Sequence, residues 1–552
     1  MARPLAPAAA ILIAGVVILW GLGAPPLMQP DEGRNAEVAR EMAAAGTWVV
    51  PTLEGHPYLD KPAAYFVAVA LSLLAFGDNA FAARLPSALC GLGVLAMLYA
   101  FARRYHDRST ASLVVVVVAT TPLVIAFSRI VIMDMALALC TTAAILAPFV
   151  AESGVAPDRR WHVVGAAAAG CGTLVKGPVG FLVPALVLTA FFWWDGRPGA
   201  LRRVFSLANV AIVVALVAPW FLALAHAHPE FVRYGVVEET FNRFFTPAFH
   251  RGQPFWFFGP LFLATLMPWT LLAVPMALLA WRERARLVPA DRLLIAWTVV
   301  VVVFFSLSRT KQPGYILSGV IAAAALVGRG LGLAWRSPSG VAGVTAARGA
   351  LTLGALAVVG AAALYVVPNA RAWLMIVRPQ LLVAFMVMAA LGVVAFRTRR
   401  VVHVVASFVV LQLTLVTVAL DGPVLYARMR SVASLAERLA DVPRATEIAV
   451  FENYPAGLSF YLGRTLTVMG KDAYPLRSNF ITYWLRRQSD PPPTVVAADA
   501  REAWLGSRRT DVVIVAPSSQ RETLASWLGG RAELHQVDPG WWAAFVTRPG
   551  EP

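Results

Sequence analysis

Charge is what this sequence lacks most: of 552 residues only 14% are charged while 59% are hydrophobic, and the mean hydropathy is +0.67. That balance excludes an ordinary water-soluble globule, whose apolar share is lower, and points to an integral membrane protein. Cysteine is scarcer still. Cys90, Cys140 and Cys171 all lie in apolar segments, without metal-ligand spacing and without the look of a secreted disulfide framework, so packing is their expected role. Short internal repeats and low-complexity tails are missing too. The net charge of +16 does not imply nucleic-acid binding, because much of it sits in short turns between apolar runs and no basic stripe is interleaved with aromatics.

Runs of spanning length stand at 6–24, 81–102, 110–127, 131–150, 161–174, 178–194, 204–226, 255–281, 290–307, 314–334, 347–367, 373–396 and 401–420, which predicts about thirteen membrane helices. The first lacks a clean cleavage site and reads as a retained signal anchor. Arginine collects in the turns "RRYHDR", "PDRRW", "DGRPGALRR", "WRERAR" and "RTRR". The positive-inside rule puts those turns, and the amino terminus, in the cytoplasm. An odd number of spans then carries the carboxyl end outside, together with the long segments 25–80 and 227–254. From about residue 421 the chain is polar enough to fold in water. "EIAVFENYPAGLSFYLG", "TVVAAD" and "TDVVIVAP" read as short buried strands, with helical "SVASLAERLA" and "QRETLASWLGG" between them, a small α/β domain.

Only four lysines stand against 43 arginines. Lys61, Lys176 and Lys311 all map to the outer membrane surface, while Lys471 lies in the terminal domain. Three point cations on one surface suit a phosphate group; snorkelling at helix ends is the competing explanation for each.

The acids cluster in "MQPDEGRNAEVAREMAAAGTW", residues 28–48. Asp31 reads as the N-cap of an amphipathic helix with Ala36, Val38, Ala39, Met42 and Ala43 on its apolar stripe and Gly46 at its end, lying on the membrane surface. Capping accounts for Asp31 alone but leaves Glu32 and Arg34 unexplained. Asp134, near the outer end of a span, is an expensive ionisable group, either functional or paired with Arg129. A surface helix with an acid at its start, outward lysines and a long aromatic loop together suggest a lipid-borne phosphate substrate.

The stretches "QPDEGRNAEVAREMAAAGTWVVPTLEGHPYLDKP", "TLVKGPVGFLVP", "APWFLALAHAHPEFVRYGVVEETFNRF", "HRGQPFWFFGPLFLATLMPW" and "SRTKQPGYILSG" resemble, in this order, the bacterial aminoarabinose lipid A transferases. These belong to the GT-C superfamily, which also holds the protein O-mannosyltransferases. The resemblance covers roughly residues 10–330; in the terminal domain it reaches only "FYLGRTLTVM". It implies a GT-C fold: a transmembrane catalytic domain over 1–420 with amphipathic juxtamembrane helices and periplasmic loops 25–80 and 227–254, and a periplasmic α/β domain over 421–552.

The activity it implies is an inverting transfer of a sugar, 4-amino-4-deoxy-L-arabinose by the nearest likeness, from undecaprenyl phosphate to lipid A at the outer face of the bacterial inner membrane. A monomer without nucleotide cofactor is expected. By residue, the resemblance places Asp31 in the active-site cavity, while Arg34, Lys61 and Tyr315 match motif positions there. With Glu32 and Asp134, Asp31 makes up the expected catalytic acids. Asp31 is the expected general base, or orients an acceptor that is already a phosphate anion; Arg34, Lys61 and Tyr315 are expected to hold the donor phosphate, with Lys176, Lys311 and Arg251 as further contacts.

Two departures from the family pattern are Asn35, where relatives carry an aromatic, and Asp60, where they carry Glu. Some relatives bridge that acid and a later histidine through a divalent ion, which makes Asp60 and His250 candidate ligands for zinc or magnesium. Two ligands from distant loops are an incomplete set, and a solvated loop histidine is the competing reading. Transfer to another lipid, glycan or protein acceptor stays open. So does a lipid-linked sugar flippase, although no matched helix breaks in inverted repeats are apparent, and so does a non-catalytic scaffold of envelope assembly.

Overall fold

The structure is a computed structural model that describes residues 7–242, 252–366, 372–470, 476, 478–488 and 494–547. Every apolar run named above falls on a helix or a bent pair of helices. Among the described residues, seven helices are long and apolar enough to span a membrane, or nine if two bent pairs each count as one span, and shorter apolar helices stand at Pro7–Leu19, Ala64–Phe76, Val179–Trp194 and Val401–Thr414. The first run carries α1 (Pro7–Leu19). Pro122 ends the run at 108–128 in a 69° bend between α5 (Arg108–Ala119) and α6 (Pro122–Ser128), because proline has no N–H to continue the ladder.

The chain divides into two compact units. The first comprises Met1–Leu22, Arg84–Phe221 and Thr240–Leu425. Its centre is α5, whose valine run is buried on every side, as a helix apolar all round must be. The helix Leu317–Arg336 crosses it closely: a Cβ on Gly328 would come within 2.5 Å of the Val114 Cα, and one on Gly332 within 2.2 Å of the Thr110 hydroxyl. Small residues four apart are what let two membrane helices approach to backbone contact.

The second bent pair, Phe255–Thr265 with Thr270–Arg282, turns by 110°. Polar groups freed at a break inside a membrane need partners, and both breaks supply them. Trp269 Nε1 donates to Thr120 Oγ1 at 3.1 Å, and Gln412 Nε2 donates to the Met267 carbonyl at 3.0 Å. The Trp269 ring stacks on Phe408, centroids 4.7 Å apart.

The second unit gathers Gly23–Ala83, Leu222–Glu239 and Tyr426–Pro552. It contains α2 (Asp31–Ala45), the hairpin β1 (Thr52–Leu53) and β2 (His56–Pro57), and α3 (Ala64–Phe76). Its sheet is built from β3 (Glu447–Phe451), β4 (Thr467–Gly470), β5 (Val495–Ala497), β6 (Val512–Pro517), β7 (Leu534–Asp538) and β8 (Trp541–Val546). The order is β5-β4-β3-β6-β8-β7. The first four run parallel, and β8 and β7 close the far edge antiparallel. Part of the segment read as strand, 458–462, is helical, capped on both sides by glycines at positive φ, Gly457 and Gly463.

Candidate active site

The candidate residues form two clusters, one in each unit. In the second unit the DEGR motif opens α2. Asp31 is the first helical residue and not the cap: Pro30 holds the cap position, and no side chain caps the helix there. The Asp31 carboxylate is instead half exposed and accepts from Arg34 Nη2 at 2.6 Å, one turn on. The Arg34 guanidinium also lies 5.8 Å from the centre of the Tyr58 ring, within cation–π range. Glu32 is turned inward, 4% exposed, and accepts from the Met28 amide at 3.0 Å. Of the two adjacent acids, Asp31 is the one a substrate can reach. Gly33 has its own reason: a Cβ there would sit 2.5 Å from the Ala456 carbonyl oxygen, so glycine lets α2 dock on the 456–457 turn.

The apolar stripe of α2 packs within its own unit. Ala36, Val38, Ala39 and Met42 are buried, and so are Glu37 and Glu41 on the charged side. Arg40 pairs bidentately with Glu37, at 2.8 and 2.7 Å. Glu41 accepts from the Thr52 hydroxyl at 2.5 Å and from the Glu54 and Gly55 amides at 2.6 and 3.2 Å, which fixes the β1–β2 turn. Glu54, at φ +51°, accepts from Tyr454 Oη and the Leu466 amide, both at 2.7 Å, and from Ser459 Oγ.

Oxygens of Glu37, Glu41 and Glu54 lie within 4.8 Å of one another. Burial is the main reason the Glu37 carboxyl is pushed up to about 8, against the pull of Arg40. Burial and then the Glu41 charge push Glu54 up to about 7. Sequence reasoning missed this triad; the available signal was the pair of glutamates at i and i+4, Glu37 and Glu41, in α2.

Asp60 and Lys61 follow on the same unit. The Asp60 carboxylate accepts from Tyr234 Oη at 3.0 Å and from the Phe480 and Asn479 amides at 2.7 and 3.2 Å. Ser478 is the N-cap of the helix Asn479–Leu485, and Asp60 takes the first two amides of that helix. His250 and Arg251 lie outside the described residues. Lys61 Nζ pairs with the carboxylate of Glu239.

The second cluster belongs to the first unit. Asp134 begins α7 (Asp134–Ala151) and Lys176 ends α8 (Arg159–Lys176); Lys176 Nζ donates to Asp134 Oδ1 at 2.6 Å. Lys176, and not Arg129, is therefore the partner of Asp134. Arg129 donates to the carbonyls of Val17, Ile18 and Trp20 at 3.0, 3.0 and 2.8 Å, closing the end of α1. The Lys176 ammonium stands 5.6 Å from the centre of the Tyr315 ring. Next to that tyrosine, Gly314 lies so close to Asp134 that a Cβ would fall 2.2 Å from its Oδ1. Asp134, which is buried, the half-buried Lys176 and the 313–316 turn thus form one group. Lys311 is not part of it: its Nζ donates to the carbonyls of Gln253, at 3.1 Å, and Ser308. Burial, with the Arg309 charge beside it, lowers the Lys311 pKa.

The sequence profile of the family described as "Dolichyl-phosphate-mannose-protein mannosyltransferase" matches residues 60–222. An undecaprenyl phosphate-alpha-4-amino-4-deoxy-L-arabinose arabinosyl transferase of Pseudomonas fluorescens is 32% identical over 322 residues, 57% of this chain and 54% of that relative. The chain thus aligns with about half the length of the curated relatives it matches. The crystal structure of ArnT from Cupriavidus metallidurans bound to undecaprenyl phosphate superposes with a TM-score of 0.84 at 25% identity, covering 99% of both chains. Its apo structure gives 0.82 at 26% identity, covering 98% of both.

Proposed function

We propose, from the premise that this is a polytopic membrane protein with the GT-C glycosyltransferase fold, similar to the aminoarabinose lipid A transferases, that it is a transferase taking its sugar from undecaprenyl phosphate. The observation that carries this reading is the superposition, over nearly the whole chain, on a structure with undecaprenyl phosphate bound. The sugar we assign is 4-amino-4-deoxy-L-arabinose, and the acceptor is a phosphate of lipid A at the periplasmic face of the bacterial inner membrane.

In such a transfer an acceptor oxygen attacks the anomeric carbon from the face opposite the lipid phosphate. The bond from that carbon to the phosphate oxygen breaks, and undecaprenyl phosphate leaves with the bonding electrons. The leaving phosphate gains negative charge, which preorganised cations stabilise. Arg34 and Lys61, both in the second unit, are cations of that kind; in the first unit Lys176 is another candidate cation and the Tyr315 hydroxyl a candidate donor. Asp31 takes a proton where the acceptor is a hydroxyl or a monoprotonated phosphate, and Arg34 holds its carboxylate in position.

The test is transfer from a panel of radiolabelled undecaprenyl-phosphate sugars to lipid A, with purified protein in lipid vesicles and Asp31→Asn in parallel. Transfer of the amino sugar by the wild type, lost in the variant while donor binding persists, is expected. A wild type that transfers nothing but carries the intact lipid across the vesicle would replace this reading with a flippase.

A further inference from the structure

Lys61 and Asp60 are neighbours, and a single segment contacts both. Tyr234–Asn242 is wound as a π-helix. Tyr234 donates its hydroxyl to Asp60, while Glu239, five residues later, sets its carboxylate on Lys61. The first contact is well anchored: the Tyr234 ring is buried and stands edge-on to Phe480, with centroids 5.1 Å apart. The second is enclosed, with the lysine side chain 17% exposed and that of Glu239 14%.

The winding matters to this arrangement. A π turn bonds residue i to residue i+5, so side chains five apart stand nearly above one another. On an α-helix of about 3.6 residues per turn they would point about 140° apart. Only the looser winding therefore lets Tyr234 and Glu239 face the same dipeptide.

We propose that Glu239 is the resident counter-anion of Lys61, the carboxylate that an incoming lipid phosphate displaces, and that the π winding of 234–242 holds it in place. This rests on the donor reading given above. A phosphate and a carboxylate are both anions of similar reach. An enclosed ammonium cannot take the phosphate at full strength while Glu239 stays beside it, because the two like charges repel across a poorly solvated gap. Donor binding is thereby an exchange of anions: Lys61 is never left buried without a partner, and the departure of Glu239 frees the segment to rewind.

The experiment is the affinity of the full chain in nanodiscs for undecaprenyl phosphate, at fixed ionic strength, for the wild type and for Glu239→Gln, Glu238→Gln, Lys61→Ala and the Lys61→Ala/Glu239→Gln double variant. Glu239→Gln is expected to bind about tenfold more tightly, a gain of about 1.4 kcal/mol. Glu238→Gln, which removes the same charge one residue away, should stay within about twofold of the wild type. The gain should vanish when Lys61 is absent, so that the double variant binds like Lys61→Ala. Unchanged or weaker binding by Glu239→Gln, or a gain that persists without Lys61, overturns the proposal. Should Glu239→Gln melt below the wild type, Glu239→Asp decides in its place: its shortened carboxylate must also tighten binding. If the wild type itself binds no undecaprenyl phosphate, the donor reading fails first, and this proposal fails with it.

Discussion

Two acid–base pairs have the same 2.6 Å separation and very different settings. Asp31 and Arg34 lie on one turn of one helix, with the aspartate half exposed. Asp134 and Lys176 come from the start of one helix and the end of another, 42 residues apart, and both are largely buried. The local pair costs the fold little to open, because water can take over from either partner. In the buried pair each charge is the other's main compensation for lost solvent. An exposed acid with a local partner is free to exchange protons and partners, whereas a buried pair first has to hold two helices and a turn together.

The comparison breaks most sharply on activity. We predict that Asp31→Asn lowers kcat by about 10²–10⁴-fold, the usual worth of a general base, and leaves the melting temperature near that of the wild type, as surface substitutions do. A full-rate variant would remove Asp31 from the chemistry. Asp134→Asn should act first on stability: it strands the Lys176 ammonium and should cost about 3–5 kcal/mol. Adding Lys176→Met should recover part of that loss in thermal unfolding. If the double variant is no more stable than the single one, the pair does not hold the helices together.

Much of the architecture was legible because it is written in composition. Apolar runs mark membrane helices wherever solvent is lipid, and short apolar runs marked β3 and β6. The three lysines singled out by their rarity prove to have distinct partners: a glutamate for Lys61, an aspartate for Lys176 and two carbonyls for Lys311. What sequence could not yield were partners set by packing over long separations. Arg129 is five residues from Asp134 and looked like its mate, yet helix packing gave that place to Lys176. The bends at 120–122 and 266–269 were equally hidden, since an apolar run reads the same whether it is straight or broken. Gly314 carried no signal at all until Asp134 was seen against it.

That glycine gives a smaller effect on the buried side of the comparison. A methyl group at 314 would fall 2.2 Å from Asp134 Oδ1, so either the turn or the carboxylate must shift. We predict that Gly314→Ala costs about 1–3 kcal/mol, the range for overpacking, and lowers kcat along with stability because Tyr315 moves with the turn. The matched change on the other unit is Gly33→Ala, where the clash is 2.5 Å from the Ala456 carbonyl oxygen. It should cost stability in the same range. Thermal unfolding of the two variants side by side checks both, and wild-type melting of either would show that its close approach can relax without strain.

The smallest effect is a slope, and it distinguishes the start of α2 from its middle. Burial raises the Glu37 carboxyl from 4.5 to about 8, so between those values the folded chain holds a proton that the unfolded chain has released. Stability must then fall as pH rises through that window, since it falls wherever the native state binds more protons. The contribution is complete below about pH 4.5 and is lost as pH passes 8. Each extra bound proton is worth at most about 1.4 kcal/mol per pH unit. Glu37→Gln, neutral at every pH, should flatten the difference: its melting temperature measured from pH 5 to 8.5 should decline less than that of the wild type. Asp31→Asn, on the exposed first turn of the same helix, should leave the wild-type slope in place. Equal slopes in the wild type and Glu37→Gln would mean that the buried acid is ionised throughout, stabilised by Arg40 and by the donors around Glu41 and Glu54.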